Sequence, residues 1–134
     1  MKILLADDSD LILERLQEML SMYEQVDIVG SFTNGVEALE ALRILKPDLA
    51  IIDLKMPGLS GLEVLNEIRK KDKKLKFIIF TFYTSEYYKT MAIKAGTDYF
   101  FSKIDDFEKV SKVVEEMMLQ KENYKEYYNK NLLN

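Results

Sequence analysis

Residues 49–58 read Leu-Ala-Ile-Ile-Asp-Leu-Lys-Met-Pro-Gly. The first four form an unbroken apolar run, the pattern of a short strand buried on both faces of a parallel sheet. The run stops at a carboxylate, Asp53, and a Pro57-Gly58 turn follows. Open α/β sheets bind their ligands beyond the carboxyl ends of the strands. Asp53 therefore sits where such a fold puts its chemistry. A carboxylate there also serves simply to cap a turn or a helix. The other strand ends weigh one reading against the other.

Outward from this stretch, four more runs repeat the pattern. Residues 3–6 predict a first strand ending at Asp7 and Asp8, and residues 26–32 a second. Residues 77–80 predict a fourth that ends at Thr81, and residues 98–101 a fifth, followed by Lys103. Helical spacing fills the gaps. Leu11, Leu13, Leu16, Met19 and Leu20 recur behind a cap at Ser9 or Asp10. Val36, Ala38, Leu39, Leu42 and Leu45 follow the Asn34-Gly35 turn, and Pro47 ends that helix. Leu62, Val64, Leu65 and Ile68 follow a cap at Ser60, and residues 69–74 read as a mostly basic, solvated exit. A fourth helix spans about residues 85–95, with Gly96 where a left-handed residue closes a helix. The last starts near Asp105 or Asp106, with Phe107, Val110, Val114 and Met117 on one face.

Five β-then-α units imply an α/β fold: a doubly wound, five-stranded parallel sheet with five helices on both faces. At 134 residues the chain has the size of one domain. Residues 1–120 make that domain. Residues 121–134 form a polar C-terminal tail, with Lys121, Lys125 and Lys130 against Glu122 and Glu126. The face of Tyr124 and Tyr128 either extends the last helix or frays.

Composition excludes several chemistries. The chain has no Cys, hence no disulfide and no thiolate metal site, and no His, hence no imidazole catalysis, His-ligated zinc or phosphohistidine of its own. A net charge of −4 disfavours direct nucleic-acid binding. The apolar start is too short for a signal peptide, and no stretch approaches a membrane span, so the expected location is cytoplasmic.

A parallel sheet brings Asp7, Asp8, Asp53, Thr81 and Lys103 to one edge. Three crowded carboxylates repel, and one stays protonated unless a cation joins them. With only oxygen ligands available, the cation is a hard one, and Mg²⁺ is the common choice beside phosphate. A hydroxyl and an ammonium complete a site shaped for a phosphoryl group. Asp53 is its natural nucleophile, since carboxylates form aspartyl phosphates.

On these residues the chain resembles the receiver domains of two-component response regulators. The likeness spans Lys2 to about Leu119. It rests on Asp7-Asp8, on Asp53 within Asp-Leu-Lys-Met-Pro-Gly-Leu-Ser-Gly, on Thr81, on Ala95-Gly96 and on Lys103. The resemblance implies strand order 2-1-3-4-5 and Asp53 as phosphoacceptor. It implies Mg²⁺ held by Asp8, Asp53 and the backbone carbonyl of Lys55, with Asp7 acting through water. Thr81 and Phe100 become switch residues, and Lys103 a phosphoryl contact. Implied partners are a sensor histidine kinase or phosphotransfer protein and a downstream target or missing output domain. A homodimer through the fourth helix, fifth strand and fifth helix is also within the pattern. The domain catalyses only its own phosphoryl transfer and loss.

Three positions depart from the family pattern. Ile104 replaces the usual proline after the lysine, which puts the family's cis peptide there in question. Phe82 replaces the small residue after the threonine. Phe100 lacks the tyrosine hydroxyl often found at the switch position. Phe82 and Ile104 keep open a second reading, an interaction module that works without phosphate. A third, an aspartyl-nucleophile phosphatase, would place its nucleophile after the first strand and hold substrate with a cap. The aromatic group Phe82, Tyr83, Tyr87 and Tyr88 reads as a partner surface or as partly buried packing.

Overall fold

The structure, a computed structural model that describes residues 1–132, alternates five strands with five helices. The strands are β1 (Lys2–Ala6), β2 (Asp27–Phe32), β3 (Leu49–Ile52), β4 (Lys76–Thr81) and β5 (Tyr99–Ser102). The helices are α1 (Asp10–Leu20), α2 (Gly35–Leu45), α3 (Gly61–Arg69), α4 (Glu86–Ala95) and α5 (Phe107–Leu132). Every strand pair is parallel, and the order is β2-β1-β3-β4-β5, as the sequence pattern and the resemblance implied.

Strand side chains alternate between faces, and the two faces build two cores. Leu4, Ala6, Ala50, Ile52, Phe77 and Ile79 pack with α2, α3 and Ala92 of α4. Ile3, Leu5, Leu49, Ile51, Ile78 and Phe80 pack with α1 and α5. β3 is apolar at every position because both faces are covered, while β1 and β4 open on the exposed Lys2 and Lys76 and β4 closes on Thr81. β2 and β5 stand at the sheet edges and are only partly buried.

Local signals set the helix ends. The side chains of Ser9, Asn34, Ser60 and Ser85 accept backbone N–H groups at the starts of α1, α2, α3 and α4. Ser60 and Glu63 form a full capping box. Gly96 closes α4 at φ 100°, a conformation that glycine adopts without Cβ strain.

Some boundaries and faces differ from expectation. β2 starts at Asp27, β4 at Lys76, and β5 lies one residue later than predicted. Leu11 is 71 % exposed; Ile12 takes its place on the buried face of α1. Arg69 is not part of a solvated exit. Its side chain turns inward, donating to the carbonyls of Gly96 (2.9 Å) and Asp72 (3.1 Å) and to Asp98 Oδ2 (3.1 Å). The peptide before Ile104 is trans, as no cis peptide occurs among the described residues.

The tail continues α5 as far as Leu132; Leu133 and Asn134 lie outside the described residues. Lys121 ties the extension to the sheet by donating to Asp48 Oδ2 at 3.1 Å. Beyond it, residues 122–131 are exposed, with Tyr124 and Tyr128 stacked 6.2 Å apart.

Candidate functional site

Parallel strands share a carboxyl edge, and the four neighbouring strands β1, β3, β4 and β5 bring their last residues together there. Ladder bonds set the register. Asp53 N–H donates to the Ala6 carbonyl at 2.9 Å, and Lys103 N–H to the Thr81 carbonyl at 3.0 Å. Among the described residues, Asp7, Asp53, Thr81 and Lys103 are the buried polar ones, each 5 % exposed or less. Asp8 is exposed. The loop after Asp53 folds back tightly. A Cβ on Gly61 would stand 2.1 Å from the Asp53 carbonyl oxygen, so only glycine lets α3 start this close.

Lys103 organises the carboxylates. Its Nζ lies 2.5 Å from Asp7 Oδ2 and 2.9 Å from Asp53 Oδ2. Asp7 also accepts the Ser9 N–H, and Asp53 Oδ1 accepts the Leu54 N–H at 2.7 Å. Burial pushes the Asp7 carboxyl above its ordinary value, against the opposing pull of the Lys103 ammonium and the Ser9 N–H. Asp7, Asp8 and Asp53 each offer a carboxylate oxygen, all within 4.8 Å of one another. Three carboxylates face one ammonium, so the cluster remains short of positive charge. Oxygen donors with surplus negative charge fit a hard divalent cation.

Thr81 is fully buried, and its Oγ1 accepts the Tyr83 N–H at 3.1 Å. Phe100, on β5, is partly buried against the core between the sheet and α4. Two exposed rings border the site. Lys103 Nζ lies 5.1 Å from the Phe82 ring centroid, so Phe82 stands beside the ion cluster. Tyr83 turns to Lys55, whose Nζ is 4.0 Å from its ring centroid. Tyr88 joins them: it meets Tyr83 edge to face at 6.0 Å, and Lys55 Nζ lies 5.3 Å from its centroid. The Tyr88 side chain holds the Lys55 ammonium above its ordinary value. The aromatic group is thus partly a surface cluster within the chain around a lysine, a pairing that residue spacing does not reveal.

The model of the response regulator receiver domain matches residues 3–115. The chain belongs to the response regulator receiver family. Among relatives, the receiver chain is 34 % identical to the nitrate/nitrite response regulator protein NarL of Escherichia coli (strain K12), over 75 % of this chain and 47 % of that protein. It is 32 % identical to the transcriptional regulatory protein DesR of Bacillus subtilis, over 91 % of this chain and 60 % of that one. It spans about half the length of such relatives. Among solved structures, the receiver fold superposes on the response regulator domain of Thermotoga maritima CheB with TM-score 0.77 and 28 % identity, covering 90 % of this chain and 94 % of that one. It superposes on the REC domain of AraT, a response regulator from Geobacillus stearothermophilus, with TM-score 0.79 and 29 % identity, covering 92 % and 97 %. No helix among the described residues is long and apolar enough to cross a membrane.

Proposed function

We propose that this receiver domain accepts a phosphoryl group on Asp53 from a phosphohistidine of a partner kinase or phosphotransfer protein. The observation that carries the reading is the buried Asp53–Lys103–Asp7 ion cluster beside the exposed Asp8 carboxylate. An Asp53 carboxylate oxygen forms a bond to phosphorus as the phosphorus–nitrogen bond breaks, and the electron pair stays on the imidazole nitrogen. Asp8, Asp53 and the Lys55 carbonyl would hold Mg²⁺, with Asp7 acting through water. The ion supplies positive charge against the phosphoryl oxygens. Lys103 already points its ammonium at Asp53 and neutralises a further oxygen. Thr81 releases the Tyr83 N–H and turns its hydroxyl to the phosphoryl group, and Phe100 repacks behind it.

The face of α4, β5 and α5 then changes, and with it the affinity for a downstream target, an output domain or a second copy. Residues 1–120 form the signalling unit, and the helical tail beyond it serves as an extension. Full switching from 1:99 to 99:1 needs about 5.5 kcal/mol of differential interaction. One hydrogen bond and one ion pair supply less, so the expected response is partial.

The test is incubation with acetyl phosphate and Mg²⁺, followed by intact-mass spectrometry. The expected result is one phosphoryl group per chain, absent in Asp53→Asn. No label on the wild type would overturn the reading and favour a module that signals without phosphate. Steady turnover without a labelled chain would point to a phosphatase.

A further inference from the structure

Lys55 lies two residues beyond Asp53 with its side chain exposed. Among the described residues, no carboxylate lies within ion-pair distance of its ammonium. The ammonium sits instead against the rings of Tyr83 and Tyr88, at 4.0 and 5.3 Å. These residues come from three segments: the loop after β3, the loop after β4 and the first turn of α4. The cluster therefore ties the segment beside Asp53 to the start of α4. Tyr83 is also held from a second side, because its backbone N–H donates to Thr81 Oγ1. Tyr88 packs, together with Phe100, against the core beneath α4. α4 is otherwise weakly anchored, with Ala92 its single buried residue.

We propose that Lys55 is a further switch residue beside Thr81 and Phe100: its ammonium leaves the Tyr83 and Tyr88 rings for the phosphoryl group on Asp53 and so frees the first turn of α4. The inference rests on the phosphoacceptor reading of Asp53. A phosphoryl group adds about −1.5 to −2 charges within the same short loop, by analogy with other phosphoresidues. A ring face offers an exposed cation much less than a dianion does. The four-carbon stem lets the ammonium change partners while the Lys55 backbone stays in place. Turning Thr81 toward the phosphoryl group removes the acceptor of the Tyr83 N–H in the same event. Tyr83 then loses its ring contact to Lys55 and its amide bond to Thr81, and keeps the edge-to-face contact with Tyr88. α4 thus reads the site through the exposed face as well as through Phe100.

Coupling of this kind is reciprocal: weakening the ring cluster strengthens binding of the phosphoryl group. The test uses Mg²⁺ with beryllofluoride as phosphoryl mimic. Bound fluorine signals, absent in Asp53→Asn, report occupancy. Lys55 ε-methylene protons, assigned by their loss in Lys55→Gln, report the rings through upfield ring-current shifts. On binding, those protons are expected to move to free-lysine positions. A Tyr83→Leu/Tyr88→Leu variant is expected to bind the mimic about fivefold tighter, from the loss of exposed cation–π contacts that compete with binding. Equilibrium affinity, unlike a loading rate, does not depend on how open the path to Asp53 is. Bound fluorine with Lys55 still shifted upfield, or unchanged affinity in the double variant, would refute the Lys55 switch and leave the phosphoacceptor reading intact. No bound fluorine signal in the wild type would refute both.

Discussion

Replacing Lys103 with methionine tests how the site is held together. Methionine keeps an unbranched apolar stem and removes the charge. In the native chain the Lys103 side chain is 2 % exposed and its ammonium reaches Asp7 at 2.5 Å and Asp53 at 2.9 Å. At an effective dielectric constant near 20, each contact is a gross attraction of about 6 kcal/mol. Desolvation of the three groups offsets most of it, so the intact cluster itself contributes little to stability. Its removal is different, because two buried carboxylates are left without a cation. Breaking a buried ion pair from one side costs about 3–5 kcal/mol. With a urea m-value of about 2 kcal/mol/M, the unfolding midpoint at pH 7 drops by about 1.5–2.5 M, with m unchanged. Adding Asp7→Asn to Lys103→Met removes one of the stranded charges and recovers part of the loss, a coupling that a double-mutant cycle measures. Millimolar Mg²⁺ is expected to recover part of it as well. Stability within about 1 kcal/mol of wild type would refute the argument. So would strict additivity of the two substitutions.

Mg²⁺ alone is expected to raise the melting temperature of the wild type, by an amount equivalent to about 2.7 kcal/mol at 100 times its Kd; Asp8→Asn removes most of the effect in a thermal melt. Phe82 stands beside the Lys103 ammonium at 5.1 Å and borders the approach to Asp53. Phe82→Ala is expected to speed both loading from acetyl phosphate and decay by about tenfold, since small misplacements of reacting atoms alter rates steeply. Mass spectrometry over time follows both steps, with Tyr83→Ala as comparison, and unchanged rates in both variants would remove the steric gate. Asp106 accepts the Ser102 N–H at 2.8 Å and pairs with Lys109 at 3.1 Å; these two groups, the amide first, hold its carboxyl below the ordinary value. A depressed native pKa stabilises above the unfolded value near 4 and ceases to do so as pH falls through the native value. Asp106→Asn is therefore expected to cost about 1–2 kcal/mol at pH 7, a difference that shrinks below about pH 4 in urea melts at several pH values.

The fold was readable because each of its signals is local. Apolar runs such as 49–52, helical spacing such as Val110 and Val114, and caps such as Ser60 act within a few residues. Once the strands are parallel, their last residues must share an edge, so Asp7, Asp53, Thr81 and Lys103 could be brought together by topology alone. Topology did not say which charges pair. Lys103 takes Asp7 and Asp53 and leaves Asp8 exposed, a choice set by rotamers and by distances between loops far apart in the chain. The inward turn of Arg69 toward Gly96 and Asp98 has the same origin, since its partners lie 27 and 29 residues away. Periodicity placed Leu11 on the apolar face of α1, yet Ile12, Leu13, Leu16 and Leu20 are the residues turned to the core, and Leu11, about 100° around the helix from Ile12, is exposed. Lys55, Tyr83 and Tyr88 looked like separate surface residues. They meet because the loops after β3 and β4 leave neighbouring strands at the same edge, and a cation finds a partner there among whatever faces those loops present.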